Sequence, residues 1–253
     1  MTGDGRRQQV IDRLRPYIER AKRLRGFQLE FEPTPLGPPV PWNYQARARE
    51  LMAGVRSVLD MGTGGGEVFS EILAGSRPVA VATEPWSPNV SVAAERLRPR
   101  GAQVVHADSL ALPFVDEAFE LVLNRHEELD PGEVARVLSP GGTVLTQQVH
   151  QDSWKEFRAF FPRMIDWGPH FERYQDGFRA AGLVVTHAEM HEGPAAFRDL
   201  GEVAYMLTAL PWEVPDFDVV QDIDGLIALE EGLRRPEGIV VTEGRYVIEA
   251  YRP

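Results

Sequence analysis

The sequence predicts an α/β protein whose mostly parallel sheet of seven strands carries helices on both faces and ends in an antiparallel strand. Three observations predict it. From residue 55 onward short apolar runs alternate with stretches of helical period. A glycine-rich turn, Gly62-Thr63-Gly64-Gly65-Gly66, follows the first of those runs. The 253 residues, 43% hydrophobic and 26% charged, suffice for one large domain with a sizeable core, or one domain and a small cap.

Residues 6–25 repeat apolar side chains at helical spacing from Val10 to Leu24, with Pro16 expected to kink that helix or to start a second one. Five prolines between residues 32 and 41 exclude a regular interior element and predict an extended arm. A helix over Gln45–Met52 leads into the main domain. Strands are expected at 55–61, 78–84, 102–108, 118–124, 143–149 and 183–190, with helices at 67–74, 90–97, 132–138 and between about 153 and 181. Strands alternating with helices imply parallel crossovers. Residues 192–238 break the rhythm with two helices, near 197–210 and 219–234, and eleven acidic residues against three arginines. Residues 239–252 read as a hairpin turning at Glu243-Gly244. The expected division is therefore a helical arm or lid over 1–52, a core over 53–191, an acidic helical cap over 192–238 and a sheet-completing hairpin over 239–253.

Composition bounds the chemistry. The absence of cysteine excludes disulfides and thiolate metal sites. No run of 18 apolar residues and no apolar leader are present, so a cytoplasmic protein without a membrane partner is expected. The net charge of -11 argues against broad nucleic-acid binding, yet residues 1–25 carry eight Lys/Arg against three Asp/Glu. That stretch is either a solvated helix face or a basic arm for RNA or an acidic partner.

The turn after the first strand carries the strongest functional signal. Glycines there permit positive φ and close approach of a ligand, and free amides at a helix start suit a polar or anionic group. Glu84 closes the second strand, 18 residues past Gly66, where a carboxylate can accept from a ribose diol or simply charge a helix start. Asp108-Ser109 closes the third strand, as a reader of an adenine edge or as a cap. A nicotinamide-type turn wants a third glycine where Glu67 stands, and Asp60 sits two residues before the first glycine.

These residues resemble the class I S-adenosylmethionine-dependent methyltransferases, most closely the broad small-molecule, or type 11, subgroup. Asp60-Met-Gly62-Thr-Gly64-Gly-Gly66 is similar to their first motif. Glu84 matches the ribose-binding acid, Asp108-Ser-Leu-Ala-Leu-Pro-Phe their third-strand loop, and Glu133 through Gly142 their helix and turn before the fifth strand. The resemblance covers about residues 55–150. It implies a Rossmann-like fold, S-adenosylmethionine as cofactor with S-adenosylhomocysteine as product, and methyl transfer by in-line displacement to oxygen, nitrogen or carbon of a small acceptor. It also implies roles. Gly62, Thr63, Gly64 and Gly66 line the methionine part of the cofactor, and Asp60 fixes the loop. Glu84 holds the ribose, Trp86 covers the adenine or merely packs, Asp108 and Ser109 read its edge, and Asn124 lies beside the methionine end.

The acceptor side is less legible. His126 and His150, after the fourth and fifth strands, are candidate general bases or ordinary loop histidines, with Glu127 or Glu128 available to raise the basicity of His126. Arg125 is a candidate for an acidic substrate. Trp42 and Tyr44, together with Trp212 and Phe217, are candidates for an aromatic lid over a flat acceptor, or for packing. His187 and His191 lack an evident third ligand and read as structural, so no metal site is expected, and His106 reads as packed. No Asn/Asp-Pro-Pro-Tyr/Phe run follows the fourth strand, which lowers exocyclic amines of nucleic acid or protein as acceptors. The competing readings are an RNA-modifying methyltransferase guided by the basic helix and a non-catalytic binding module that keeps the cofactor fold.

Overall fold

A computed structural model describes residues 3–75 and 78–253; the first two residues of the expected arm lie outside the described residues. In chain order the elements are α1 (Gly3–Ala21), β1 (Thr34–Pro35), α2 (Tyr44–Met52), β2 (Ser57–Met61), α3 (Glu67–Ile72), β3 (Val79–Glu84), α4 (Ser87–Leu97), β4 (Gln103–His106) and β5 (Phe119–Arg125). They continue with α5 (Pro131–Val137), β6 (Leu138–Val149), α6 (His170–Ala180), β7 (Val184–Phe197), α7 (Leu200–Ala209), α8 (Ile223–Leu233), β8 (Arg234–Arg235) and β9 (Gly238–Tyr251).

One sheet runs β1-β7-β9-β6-β5-β2-β3-β4, with β8 paired to β9. Strands β2 to β6 pair in parallel, and β9 lies antiparallel between β6 and β7. The expected seven strands are all present in a Rossmann-like arrangement; the count rises to nine because the two-residue ladders β1 and β8 add to the far end. Val58, Leu121, Leu123, Leu145 and Val247 face α2, α3 and α4 on one side. Leu59, Val122, Val144, Ile248 and Ala250 pack with Tyr174 and Phe178 of α6 on the other. This alternation of neighbouring residues between two apolar faces is the pattern of a strand buried on both sides.

Three expectations are corrected. The last segment is not a hairpin: β9 passes straight through Glu243-Gly244, which pair with Gly193 and Glu192 of β7. Gly244 serves close packing instead of a turn, since a Cβ there would stand 2.7 Å from that of His150. Strand β7 likewise runs on to Phe197, so the expected boundary at 191/192 falls inside a strand and the two helices begin later than predicted. Pro16 lies within a continuous α1, with no second helix.

The extended ends of β7 and β9 anchor a third core. Phe197, Ile239 and Val241 meet Leu14 and Ile18 of α1, Val203 and Leu207 of α7 and Leu226 and Leu229 of α8. Helix α1 is thereby part of the cap. Its basic residues find acidic partners on α8: Arg7 with Asp224 at 2.6 Å, Arg13 with Glu230 at 2.6 Å, and Arg6 with Glu231. These pairs are exposed and each stabilises by under about 1 kcal/mol; the apolar contact carries the docking. No helix of the described residues is long and apolar enough to cross a membrane.

If α1 is integral, Leu14→Ala should lower unfolding stability by about 3 kcal/mol, the range for an emptied core leucine. Urea denaturation measures this; a loss below about 0.5 kcal/mol would return α1 to the status of a loose arm.

Candidate functional site

The carboxyl ends of β2, β3, β4 and β5 lie side by side, with Asp60 opposite Ala82, Glu84 opposite His106 and Met61 opposite Asn124. Past β2 the chain turns through Gly62, Gly64 and Gly66 at φ +65°, +61° and +78°, a conformation that excludes ordinary side chains. Thr63 N–H donates to Thr83 carbonyl at 2.9 Å and Gly66 N–H to Thr63 carbonyl at 2.9 Å, which pins the turn to the top of β3. Glu84 completes the link. Its buried carboxylate accepts from Gly64 N–H at 2.7 Å and from Trp86 N–H at 2.9 Å. Gly66 caps α3 without a side chain, and α3 has only six residues.

Buried polar atoms at this edge without a hydrogen-bond partner among the described residues include Thr63 Oγ, Glu67 Oε1, Ser109 Oγ and Asn124 Nδ2; of these, Glu67 Oε1 lies 3.3 Å from Arg96. Asn124 is held in place by its other end, since Thr146 Oγ donates to its Oδ1 at 2.8 Å and Gln148 Nε2 does the same. Gln148 Nε2 also donates to Glu127 carbonyl at 2.8 Å, which fixes the following loop. Orphaned buried donors are uncommon and mark places where a further group satisfies them.

The edge is also rich in carboxylates. Burial pushes Asp60 up to about 7, with Glu84 adding and the Thr63 hydroxyl and Arg125 opposing. Burial pushes Glu127 up to about 7 as well, with Glu84, Asp108 and Glu128 all adding. Glu84 is raised by burial against the two amides that hold it. Converging, partly desolvated carboxylates favour a cationic group.

The edge thus combines free hydrogen-bonding groups with gathered carboxylates, and protein side chains cover its glycines. The side chain of Glu127 folds against Gly62, and a Cβ on Gly64 would stand 2.9 Å from that of Phe27. Two open grooves lie elsewhere. One, of about 490 Å³, runs along Arg20, Arg23, Arg25 and Tyr205. The other, of about 580 Å³, lies between α2 and the sheet face at Leu145, His187 and Val247.

The remaining expected site residues are placed as follows. Asp108 is exposed and its Oδ1 caps Leu110 N–H at 2.8 Å, whereas Ser109 beside it is fully buried. Trp86 is exposed at the start of α4. Arg125 is exposed and, among the described residues, makes no ion pair or hydrogen bond through its side chain. Tyr44 is buried with its hydroxyl beside Asp60 and the Asn124 backbone, and Trp42 Nε1 donates to Gln147 Oε1 at 2.8 Å. Trp212 does approach it, stacked on Phe27 at 5.8 Å and 20°. Phe217 packs on Phe161 instead.

Both candidate bases are constrained. His126, at φ +61°, is paired through Nε2 with the Gln147 amide at 3.3 Å. Burial lowers its pKa well below the usual value, and Arg125 and Arg245 lower it further. The expected support from Glu127 or Glu128 is absent; burial first, and the two arginines after it, hold the ring neutral. His150 is buried, with Nδ1 2.9 Å from Glu192 Oε1. Asp152 brings a third ligand type, all within 4.8 Å, a juxtaposition that β7 creates and sequence spacing hides. His187 is exposed beside Glu189 at 3.4 Å, and His106 is exposed with Nε2 2.9 Å from Pro85 carbonyl, not packed as expected. Phe27 and Glu192 are the site residues that sequence reasoning missed, and Glu127 enters in another role than the expected one, against Gly62. The pair Gln147-Gln148, two amides inside an apolar strand, was a signal for the network on Asn124.

With this geometry in view, comparison with known proteins points to one family. Residues 59–146, from the middle of β2 to the middle of β6, match the type 11 family model described as a methyltransferase domain. That segment is similar to a methyltransferase domain. A demethylmenaquinone methyltransferase of Thermus thermophilus is 31% identical over 140 residues, covering 49% of this chain and 63% of its own length; the chain thus spans under two thirds of that relative. Among solved structures, a proposed methyltransferase of Bacillus halodurans C-125 superposes with TM-score 0.62 at 18% identity, over 83% of this chain and 98% of that one. The 4+2 cyclase SpnF superposes over 97% of this chain and 94% of its own, at TM-score 0.55 and 18% identity. At such identities the likeness is one of fold, and a cyclase among the neighbours makes plain that this methyltransferase-domain fold does not fix the reaction.

The raised carboxyls give a testable sign. As pH rises, the unfolded chain releases these protons first, so their ionisation costs stability progressively between about pH 4 and about 7, and the full penalty remains above that. Glu127→Gln should therefore be more stable than the parent at pH 8, by about 1 to 2 kcal/mol after allowance for partial exposure, and no different at pH 4. Urea titrations at the two pH values check this, and a gain independent of pH would contradict it.

Proposed function

We propose that this chain is an S-adenosylmethionine-dependent methyltransferase acting on a small molecule. The reading rests on one observation: the glycine turn, the Glu84 carboxylate and the unpartnered Thr63, Ser109 and Asn124 groups converge at adjacent parallel strand ends, inside the segment that matches a methyltransferase domain.

The cofactor supplies a methyl group already activated on a sulfonium, so the protein's task is alignment and exclusion of water. Gly62, Gly64 and Gly66 provide backbone that a ligand can approach. Glu84 accepts from a sugar diol while its amide contacts hold it rigid. Ser109 Oγ and Asn124 Nδ2 offer the free hydrogen bonds, with Asn124 oriented by Thr146 and Gln148. Asp60 and Glu127 favour a cation. Trp86 is available to cover a base from the solvent side. Where the acceptor must lose a proton, His150 suits the part better than His126. Its Nδ1 lies 2.9 Å from Glu192 Oε1 and 3.3 Å from the Asp152 N–H, and its Nε2 has no partner among the described residues, whereas the Nε2 of His126 already accepts from Gln147. Arg125, unpaired beside this edge, is the candidate for an acidic group on the acceptor.

The RNA-directed alternative loses its main support, because the basic residues of α1 that face α8 are neutralised within the chain. The non-catalytic alternative differs from ours in methyl transfer alone.

Glu84→Gln should weaken S-adenosylhomocysteine at least about tenfold, the loss of one charged acceptor, and should lower the melting temperature as well, because one of the two buried amides on Glu84 then faces an NH2 group. Titration calorimetry reads this, paired with incubation of the parent protein with methyl-labelled donor and a set of small acceptors. Heat with the product but no transfer to any acceptor favours the binding module; no heat with donor or product overturns the cofactor assignment.

A further inference from the structure

Helix α1 ends at Ala21, and the chain then crosses to the glycine turn. Gly26, at φ +70°, donates its N–H to the buried Asn89 Oδ1 at 3.0 Å. It comes so close to the turn that a Cβ on Gly65 would stand 2.7 Å from its Cα. Phe27 follows, lying over Gly64 and stacked on Trp212 from the loop between α7 and α8. Beyond it the chain is fastened again: Glu30 N–H donates to Tyr205 Oη at 3.1 Å, and Phe31 packs edge-on to Tyr205 at 5.0 Å.

The two fastenings and the middle differ in kind. At both ends the segment is tied into the third core, through Leu14, Ile18 and Tyr205. Over the turn it is held by one side-chain hydrogen bond and by two aromatic rings that remain 40% and 43% exposed. A segment with firm ends and a lightly held middle opens locally at low cost, because few buried contacts break.

We propose that residues 22–31 form a strap over the cofactor cradle, and that Phe27 and Trp212 are the gate through which the cofactor enters and its product leaves. The inference rests on the cofactor reading above for the ligand, but not for the strap contact itself. Residues 22–31 lift while α1, α7 and α8 stay docked. The stacked pair sets the rate of exchange more than the affinity, since it is made in the closed form and broken in passage.

Two measurements on the full chain test it. Amide hydrogen exchange of the ligand-free protein at residues 62–67 should quicken about tenfold in Phe27→Ala and in Trp212→Leu, with melting temperatures within a few degrees of the parent. Release of S-adenosylhomocysteine, followed by rapid dilution, should quicken at least fivefold in both, with equilibrium affinity changed less than the rate. Exchange and release at parental rates in both variants would overturn the proposal. Quickened exchange in a protein that binds no product would uphold the strap contact and remove its role as a ligand gate together with the cofactor assignment. Quickened exchange with unchanged release would remove the gate alone.

Discussion

A single carboxylate ties the site together. Glu84 sits almost without solvent at the end of β3 and takes one amide from the glycine turn after β2 and one from the start of α4. Without it, Gly64 would present an unsatisfied buried N–H, and the turn would lose its tie to the neighbouring strand. On the proposed reading the same group accepts from a sugar diol. One residue then sets the shape of the cradle and, on that reading, its selectivity, and the burial that sharpens the hydrogen bonds also raises its pKa.

Around this clamp the chain arranges opposite charges at different depths. Near the glycines the carboxylates of Asp60, Glu84 and Glu127 gather, offset in part at Asp60 by Arg125, a setting that favours a cation. In the cap, the positive residues of α1 meet the negative residues of α8 at the surface, where pairing does little for stability and much for register. The cap is thereby joined to the N-terminal helix, and the strap between α1 and α2 inherits its position from both.

The parallel half of the fold was legible because it is local. VRSVLDM, the glycines and Glu84 are read from one strand-turn-helix unit and the next strand, and each expected strand of that half is present. The far half depends on pairing across long sequence distance. Glu243-Gly244 has the composition of a turn, but β7 lies opposite and supplies a full ladder, so the strand runs on; pairing overrode local propensity. The same ladder brings Glu192 to His150, a contact between residues 42 positions apart that no motif announces. Phe27 was invisible for a similar reason: its partner, Trp212, is on the far side of the sequence, and Gly26 alone signals only a bend. Conversely, Trp42 and Tyr44 looked like lid residues because they follow a proline-rich arm, yet α2 begins at Tyr44 and draws both toward the sheet.

The most direct measurement of the central claim is an amide-resolved NMR titration of the protein with S-adenosylhomocysteine. The account predicts saturable shifts concentrated at Gly62, Gly64, Gly66, the Glu84–Trp86 turn and Ser109, with the strap at Gly26 and Phe27 moving in step. Shifts confined to the basic groove near Arg20 and Arg23, or to the groove beside Trp42, would contradict it.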